Sequence, residues 1–387
     1  MSTQDRAVLE AVSSSGESTL DRATAKAKET FDQLLHVTLN IAVTGKTGSG
    51  KSSFVNALRG LSDDDEGAAP TGVTETTMKA IMYTHPTMPN VNIWDLPGIG
   101  SPNFKANKYL KEVNFKFYDF FLILNSERFM QNDIMLAKEI RKQKKDFYFV
   151  RSKIDNDISS EQRKRGFKEQ KVLDEIRKDC QENLKEMKYS KVFLISSAEF
   201  WKFDFEMLKN TLLEELPAHK QSALIQAWPV CSAACLEKKI KLFKGLSWVV
   251  SLISAGVAAV PVPGVSVVCD ISIVFLFLAR CYFAFGLDDR SLKRLSKKVG
   301  IPLQEHRARS KLADAIQKKA ITAVKLSSAV VTSAVAKDLL SLFPGVGSVV
   351  AAGLSFASTQ YILREGVNEL AATAREITRI AGLGTMQ

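Results

Sequence analysis

The pattern of apolar and polar positions predicts an α/β domain in the first half of the chain. Between residues 39 and 219, short apolar, often β-branched runs alternate with segments whose apolar residues recur at steps of three and four. Several short runs are apolar throughout, as is typical of strands in a sheet covered on both faces. The predicted strands are Leu39–Thr44, Lys79–Thr84, Val91–Trp94, Asp119–Leu124, Phe147–Arg151 and Val192–Ile195. Helical patterns between them, such as Asn132–Lys142 and Glu169–Asn183, predict a doubly wound fold with its ligand at the carboxyl ends of the strands.

Outside this region the pattern is helical. An apolar stripe runs from Leu20 to Leu35, and strand signals disappear after about Gln221. We therefore expect three parts: residues 1–37 as an N-terminal helical segment, residues 38–220 as the α/β domain, and residues 221–387 as an all-α domain.

A glycine-rich stretch directly follows the first predicted strand and directly precedes a predicted helix. It reads Gly45-Lys46-Thr47-Gly48-Ser49-Gly50-Lys51-Ser52, which is the phosphate-binding pattern G-x-x-x-x-G-K-S. Glycines allow successive backbone N–H groups to point at phosphate oxygens. In this pattern the lysine reaches the β- and γ-phosphates and the serine hydroxyl binds Mg²⁺. The predicted phosphate contacts are Gly45, Gly48, Gly50, Lys51, Ser52 and Ser53, and a glycine-rich turn without a ligand is the disfavoured alternative.

A second motif ends the third predicted strand. Trp94-Asp95-Leu96-Pro97-Gly98 contains D-x-x-G, which gains specificity from its place after a strand and downstream of the phosphate loop. It predicts Asp95 beside Mg²⁺ and the N–H of Gly98 near the γ-phosphate, against the alternative of a simple Pro-Gly turn.

The sequence after the fifth predicted strand indicates the base. A carboxylate at Asp155 can accept hydrogen bonds from the N1–H and the 2-amino group of guanine, and adenine offers no such pair of donors. Lys153 can lie along the base plane. Ser152 stands where GTPases often have Asn or Thr, so one polar contact is altered, and Ser197 after the last strand is a weaker candidate for the guanine side.

A threonine-rich segment between the phosphate loop and the third strand is the predicted mobile switch. One of its threonines should face the γ-phosphate and Mg²⁺. Thr71 is the first choice, with Thr76 and Thr77 as rivals, and a polar surface loop is the alternative. The preceding acidic run, residues 63–66, is expected to be a solvated loop.

Composition narrows the partners without choosing one. The 53 basic and 42 acidic residues leave a net charge of +11, which suits an anionic partner such as a nucleotide or an acidic membrane. Five cysteines and no apolar signal core at the N-terminus predict a cytoplasmic protein with reduced thiols. Nucleic acid is disfavoured because aromatic residues do not interleave with the basic residues after Arg280. The apolar segments 245–284 and 326–362 could be buried core, a membrane-inserting hairpin or a span.

Taken together, these motifs resemble the immunity-related GTPases, the interferon-inducible family of vertebrates, and Lys51 resembles its effector-type branch. The resemblance is strong from about residue 38 to residue 220. It is carried by Gly45–Ser52, Glu66–Val73, Glu75–Met78, Tyr83–Pro86, Asn90–Val91, Trp94–Gly100, Tyr118–Phe121, Asp146–Arg151, Lys153 and Asp155.

The resemblance implies a Ras-like P-loop GTPase domain with a mixed six-stranded sheet. It also implies an all-α domain in which the N-terminal helix packs on the C-terminal half. Members bind GTP and GDP with Mg²⁺, hydrolyse GTP slowly, self-assemble in the GTP state and act on intracellular membranes. The implied ligands of Mg²⁺ are Ser52, Thr71 and Asp95, and the implied catalytic residues are Lys51, Thr71 and Glu75.

The position after D-x-x-G bears on hydrolysis. Ras-like GTPases place there a Gln that orients the attacking water, whereas this chain has Ile99, whose side chain cannot hydrogen-bond to water. We therefore expect slow basal turnover that rises with protein concentration, with Glu75 as a candidate water-orienting group.

Overall fold

The chain forms two compact units in a computed structural model. The structure describes residues 37–72, 79–100, 104–185, 187, 191–200, 202–258, 274, 277–299 and 346–383. Val37–Cys231 is one unit, and the described part of the other begins at Ser232 and ends at Leu383. The predicted N-terminal helix lies outside the described residues, and the predicted boundaries of the three parts stay predictions.

The first unit contains a six-stranded sheet. Its strands are β1 (Leu39–Gly45), β2 (Ile81–Thr84), β3 (Val91–Asp95), β4 (Phe120–Asn125), β5 (Asp146–Arg151) and β6 (Val192–Leu194). Its helices are α1 (Lys51–Leu58), α2 (Ala106–Glu112), α3 (Gln131–Lys142), α4 (Ile154–Glu161), α5 (Glu169–Asn183), α6 (Phe205–Glu215) and α7 (Ala218–Ala227). The spatial order is β2-β3-β1-β4-β5-β6, and only the β2–β3 pair is antiparallel. The predicted mixed six-stranded sheet is confirmed.

Burial explains why the apolar runs formed this sheet. Every residue of β1 and of β4 is buried, which requires cover on both faces. Helices α1 and α7 pack against β1 and β3, while α5 and α6 pack against β6. One large apolar cluster joins the sheet to α2, α3 and α5, and includes Phe121, Ile140 and Cys180.

Strand register brings the ends of three strands together. In the parallel pairing of β1 with its two neighbours, Val43 lies opposite Asp95 and Gly45 lies opposite Leu124. The residues that follow these strands therefore meet at one edge of the sheet, which is where open α/β sheets place their ligands.

The second unit is helical where it is described. It contains α8 (Ala233–Ala258), α9 (Asp289–Val299) and α10 (Val346–Ile380), with further helical residues at 277–284. Helices α8 and α10 pack along each other. Ser251 of α8 donates a hydrogen bond to Gln360 of α10 inside this contact, at 2.9 Å, so one buried polar pair fixes their register.

The predicted apolar segments are only partly described. Residues 259–273 and 301–345 lie outside the described part of the chain. Among the described helices, none combines the length and apolar character that crossing a bilayer requires.

Candidate functional site: a phosphate loop and a base loop

Three glycines give the phosphate loop its shape. Gly45, Gly48 and Gly50 all have positive φ angles, of 142°, 80° and 81°. A Cβ on Gly45 would lie 1.9 Å from the carbonyl oxygen of Leu124 in the neighbouring strand. The chain therefore leaves β1 through a position that only glycine can occupy, and the helix α1 begins directly after Gly50.

We expect Gly45→Ala to destabilise the first unit strongly. The new methyl group must displace the backbone of β4, and overpacking together with backbone strain costs about 2–6 kcal/mol. Urea unfolding without nucleotide measures the loss. Gly48→Ala is the matched control, because Gly48 also has a positive φ but no atom lies within 4 Å of its Cβ position. Equal losses for the two variants would contradict the role given to the contact with β4.

The ammonium group of Lys51 lies inside the phosphate loop. Its Nζ donates to the carbonyl oxygens of Gly45 and Lys46, at 3.4 and 3.3 Å, and the residue is 8% exposed. The next residue, Ser52, donates from its hydroxyl to Oδ2 of Asp95, at 2.7 Å. The two motifs predicted from the sequence are thus in direct contact.

These groups fit the ligand that the motifs predict. Loop amides, a helix N-terminus and one ammonium group form a cradle for phosphates. A serine hydroxyl beside a carboxylate offers the oxygen ligands that Mg²⁺ prefers, and it leaves room for phosphate oxygens and water. Ser52 and Asp95 would hold the ion, which would neutralise charge on the phosphates.

Hydrogen bonds fix the D-x-x-G loop against the phosphate loop. The N–H of Ile99 donates to the carbonyl oxygen of Gly45, at 3.2 Å. The hydroxyl of Tyr109 lies 2.7 Å from that of Thr44 and donates to the carbonyl oxygen of Pro97, at 3.0 Å. Gly98 is held between these contacts, as its predicted role near the γ-phosphate requires.

The Ile99 side chain belongs to the core of the unit. It is 1% exposed and packs in the large apolar cluster. The position that carries the water-orienting Gln in Ras-like proteins therefore faces away from solvent here, as well as lacking a polar group.

The segment after β5, Ser152–Asp155, which we call the base loop, lies against the phosphate loop. Lys153 has a positive φ of 59°, and its Cε lies 3.5 Å from the position of a Cβ on Gly50. The hydroxyl of Ser152 donates to the carbonyl oxygen of Ser49, at 2.6 Å. This bond from Ser152 to the phosphate loop is a polar contact at the position where GTPases often have Asn or Thr.

The two remaining candidates on the base side lie on neighbouring segments, Asp155 at the start of a helix and Ser197 on a loop. Asp155 is half-buried in the first turn of α4. Ser197 is half-buried and follows β6, and the N–H of Ile154 donates to the carbonyl oxygen of Ile195, at 3.4 Å. This bond links the start of α4, which carries Asp155, to the end of the strand before Ser197.

The switch candidates are less defined. Thr71 is exposed, and Glu75, Thr76 and Thr77 lie outside the described residues, so their roles stay predictions. Ser53 donates from its hydroxyl to Asp63, at 3.0 Å, which leaves its backbone N–H for its predicted phosphate contact. The contact also gives part of the acidic run a structural role beyond that of a solvated loop.

Asn56 is a site-supporting residue that sequence reasoning missed. It is fully buried and donates to Asp63 and to the carbonyl oxygen of Ala69, at 2.9 and 3.0 Å. Its Oδ1 also accepts from the N–H of Ala69, at 2.7 Å. Asn56 therefore anchors the loop that leads to Thr71, and its only signal is a polar residue on the otherwise apolar stretch Phe54–Leu58.

The fold and the site define a P-loop GTPase with a Ras-like sheet. The family model described as "Interferon-inducible GTPase (IIGP)" matches residues 7–377. The chain belongs to the interferon-inducible GTPase family, and it binds and hydrolyses GTP. This confirms the resemblance drawn from the motifs and supports an immunity-related role.

The chain is similar to individual relatives and to parts of solved structures. "Interferon-gamma-inducible GTPase 10" of Mus musculus is 40% identical over 328 residues, which cover 84% of this chain and 77% of that protein. "Interferon-inducible GTPase 5" of Rattus norvegicus is 38% identical over 376 residues, 95% of this chain and 81% of that protein. Among solved structures, a variant of Era from Aquifex aeolicus bound to GDP and AlF4⁻ has a TM-score of 0.31 at 22% identity, and covers 46% of this chain and 56% of that one.

Proposed function

We propose that this GTPase cycles between GTP-bound assemblies and GDP-bound monomers at anionic intracellular membranes, as a cytoplasmic, peripherally associated protein of cell-autonomous immunity. The observation that carries the assembly step is the burial of Ile99. Because the residue at the water-orienting position is buried and apolar, another group must orient the water for hydrolysis. A second copy of the chain is one source of that group. In this proposal Thr71 contacts the γ-phosphate and Mg²⁺, and Glu75 is the candidate water-orienting group.

Helix α9 supports the membrane part of the proposal. The sequence of Asp289–Val299 contains five basic residues, Arg290, Lys293, Arg294, Lys297 and Lys298; Arg290 and Lys293 are exposed, and Leu292 is buried. Each basic residue near an anionic bilayer contributes about 1 kcal/mol. A helix with one apolar side and several cations suits reversible binding at a charged surface.

GTP turnover across a range of protein concentrations tests the proposal. We expect turnover per molecule to rise with concentration, and to rise at lower concentration when anionic liposomes are added, because a surface concentrates the protein. Neutral phosphatidylcholine liposomes are the control for the membrane arm. Flat turnover per molecule would contradict assembly-dependent hydrolysis, and equal effects of the two kinds of liposome would contradict the electrostatic role of the basic helix.

A second candidate is a nucleotide-gated scaffold in which binding alone drives assembly and hydrolysis is incidental. Light scattering after addition of GTP separates the two functions. Assemblies that dissolve as GTP is consumed support the cycle. Assemblies that persist after complete conversion to GDP support the scaffold.

A further inference from the structure

The guanidinium group of Arg151 joins the base loop to the end of β4 and to the first turn of α4. Arg151 is the last residue of β5, and its side chain is 10% exposed. It donates to the carbonyl oxygens of Ser126 and Ser152, the latter at 2.9 Å, and forms an ion pair with the carboxylate of Asp157, with 2.8 Å between nitrogen and oxygen. No sequence motif singled out this arginine as a functional residue.

Two of these partners, Ser152 and Asp157, lie on either side of the residues expected to bind guanine. Ser152 directly precedes Lys153, and Asp157 lies in the first turn of α4, two residues after Asp155. The rigid, planar guanidinium group therefore contacts both ends of the six-residue segment Ser152–Asp157, and it ties the segment to the end of β4 through Ser126.

The held segment contains a strained residue. Lys153 has left-handed backbone geometry, which costs a residue with a side chain of order 1–3 kcal/mol and persists only where the surroundings impose it. This residue turns the chain from β5 into α4. The contacts of Arg151 on both sides of Lys153 are part of these surroundings, together with the hydrogen bonds of Ser152 to Ser49 and of Ile154 to Ile195.

The positive charge of Arg151 also stabilises the carboxylate of Asp157. Burial raises the pKa of Asp157, the charges of Asp155 and Glu161 raise it further, and Arg151 opposes both effects. Without the guanidinium group, the repulsion between the carboxylates of Asp155 and Asp157 would lose the opposing charge of Arg151.

We propose that Arg151 is a positioning residue for guanine recognition, which sets the Lys153 turn so that the carboxylate of Asp155 meets N1–H and the 2-amino group of the base. The inference rests on the proposed function in one respect, namely that Lys153 and Asp155 bind guanine. Arg151 itself touches neither the base nor the phosphates in this role.

Comparison of GDP with IDP isolates this role, because inosine lacks the 2-amino group and has the same phosphates. We expect Arg151→Gln to weaken GDP binding about tenfold, the value of one hydrogen bond to a charged group. IDP binding should weaken less. The dissociation constant for IDP divided by that for GDP, called the IDP-to-GDP ratio, should therefore fall several-fold. Calorimetry with Mg²⁺ measures both nucleotides, and circular dichroism checks the fold.

Arg177→Gln is the matched control. Arg177 makes a two-pronged ion pair with Asp204 in the same unit, at 2.9 and 3.1 Å, but contacts no residue of the Lys153 turn. Its loss should lower stability and leave the IDP-to-GDP ratio unchanged. A ratio that falls equally in both variants would assign the effect to general loosening and overturn the proposal.

Two further results separate the inference from its premise. If the unmodified protein bound GDP and ADP equally, the guanine site itself would be wrong. If it preferred GDP and Arg151→Gln kept the full IDP-to-GDP ratio, the positioning role alone would be wrong. Asp157→Asn, which removes the charge of the ion pair and keeps an oxygen acceptor, should lower the ratio to a smaller extent, and it decides the matter if the arginine variant does not fold.

Discussion

Lys51→Ala should weaken GTP and GDP binding by about 100-fold and abolish measurable hydrolysis. Of the two lysines in the described phosphate loop, Gly45–Ser52, Lys51 holds its ammonium group inward, against the carbonyl oxygens of Gly45 and Lys46. Hydrogen bonds to charged groups contribute about 1.5–3 kcal/mol, which is a factor of 10 to 100 in binding. Hydrolysis loses more, because the same cation stabilises charge that develops on the phosphates.

Calorimetry with GDP and Mg²⁺, together with phosphate release from GTP, measures both losses. Lys46→Ala is the control on the same loop. Lys46 pairs with Glu127 at 3.2 Å, and both side chains are largely in solvent, at 48% and 72% exposure. We expect nearly unchanged binding there, because exposed ion pairs contribute little. Unaltered nucleotide binding by the Lys51 variant would contradict the assignment of Gly45–Ser52 as the phosphate-binding loop.

Local patterns were sufficient to predict the fold of the first unit. All six predicted strands form, with ends that differ by at most two residues, as where β2 begins at Ile81 in place of Lys79. The reason is that a doubly covered sheet requires continuous apolar runs, and such runs are visible in the sequence. The glycines of the phosphate loop were equally visible, because their conformations exclude other residues.

The supporting side chains were not visible in this way. Tyr109 contacts Thr44 from 65 residues away, and Ser152 reaches Ser49 from 103 residues away. The spacing of residues in the sequence does not predict such contacts, because they form only when the folded sheet brings distant loops together. Arg151 illustrates the same limit, since it read as the end of a strand and its partners became apparent only from the geometry.

The reading of the acidic run was incomplete for a related reason. Asp63 is exposed, as a solvated loop predicts, yet it accepts hydrogen bonds from Ser53 and Asn56 of α1. A short acidic run gives no indication of which carboxylate turns back onto the preceding helix. The consequence is functional, because this contact and those of Ala69 fix the start of the switch segment.

Asp155→Asn should change the base preference of the protein. A carboxylate accepts two hydrogen bonds, which matches the N1–H and 2-amino donors of guanine, whereas an amide offers one acceptor and one donor group. The amide would place its NH₂ group against the 2-amino group of guanine and leave a buried donor unpaired. We expect GDP binding to weaken about 100-fold, because a buried donor left without an acceptor costs about 1–3 kcal/mol.

Xanthine nucleotides supply the complementary half of the experiment. Xanthine has a carbonyl oxygen where guanine has its amino group, so the Asn side chain can donate to it and XDP should bind the variant better than it binds the unmodified protein. Asp146→Asn is the control, because Asp146 lies exposed at the opposite end of β5. A variant at Asp155 that still preferred GDP to XDP would move guanine recognition to other residues, and the role of Lys153 and Arg151 in base selection would have to be abandoned with it.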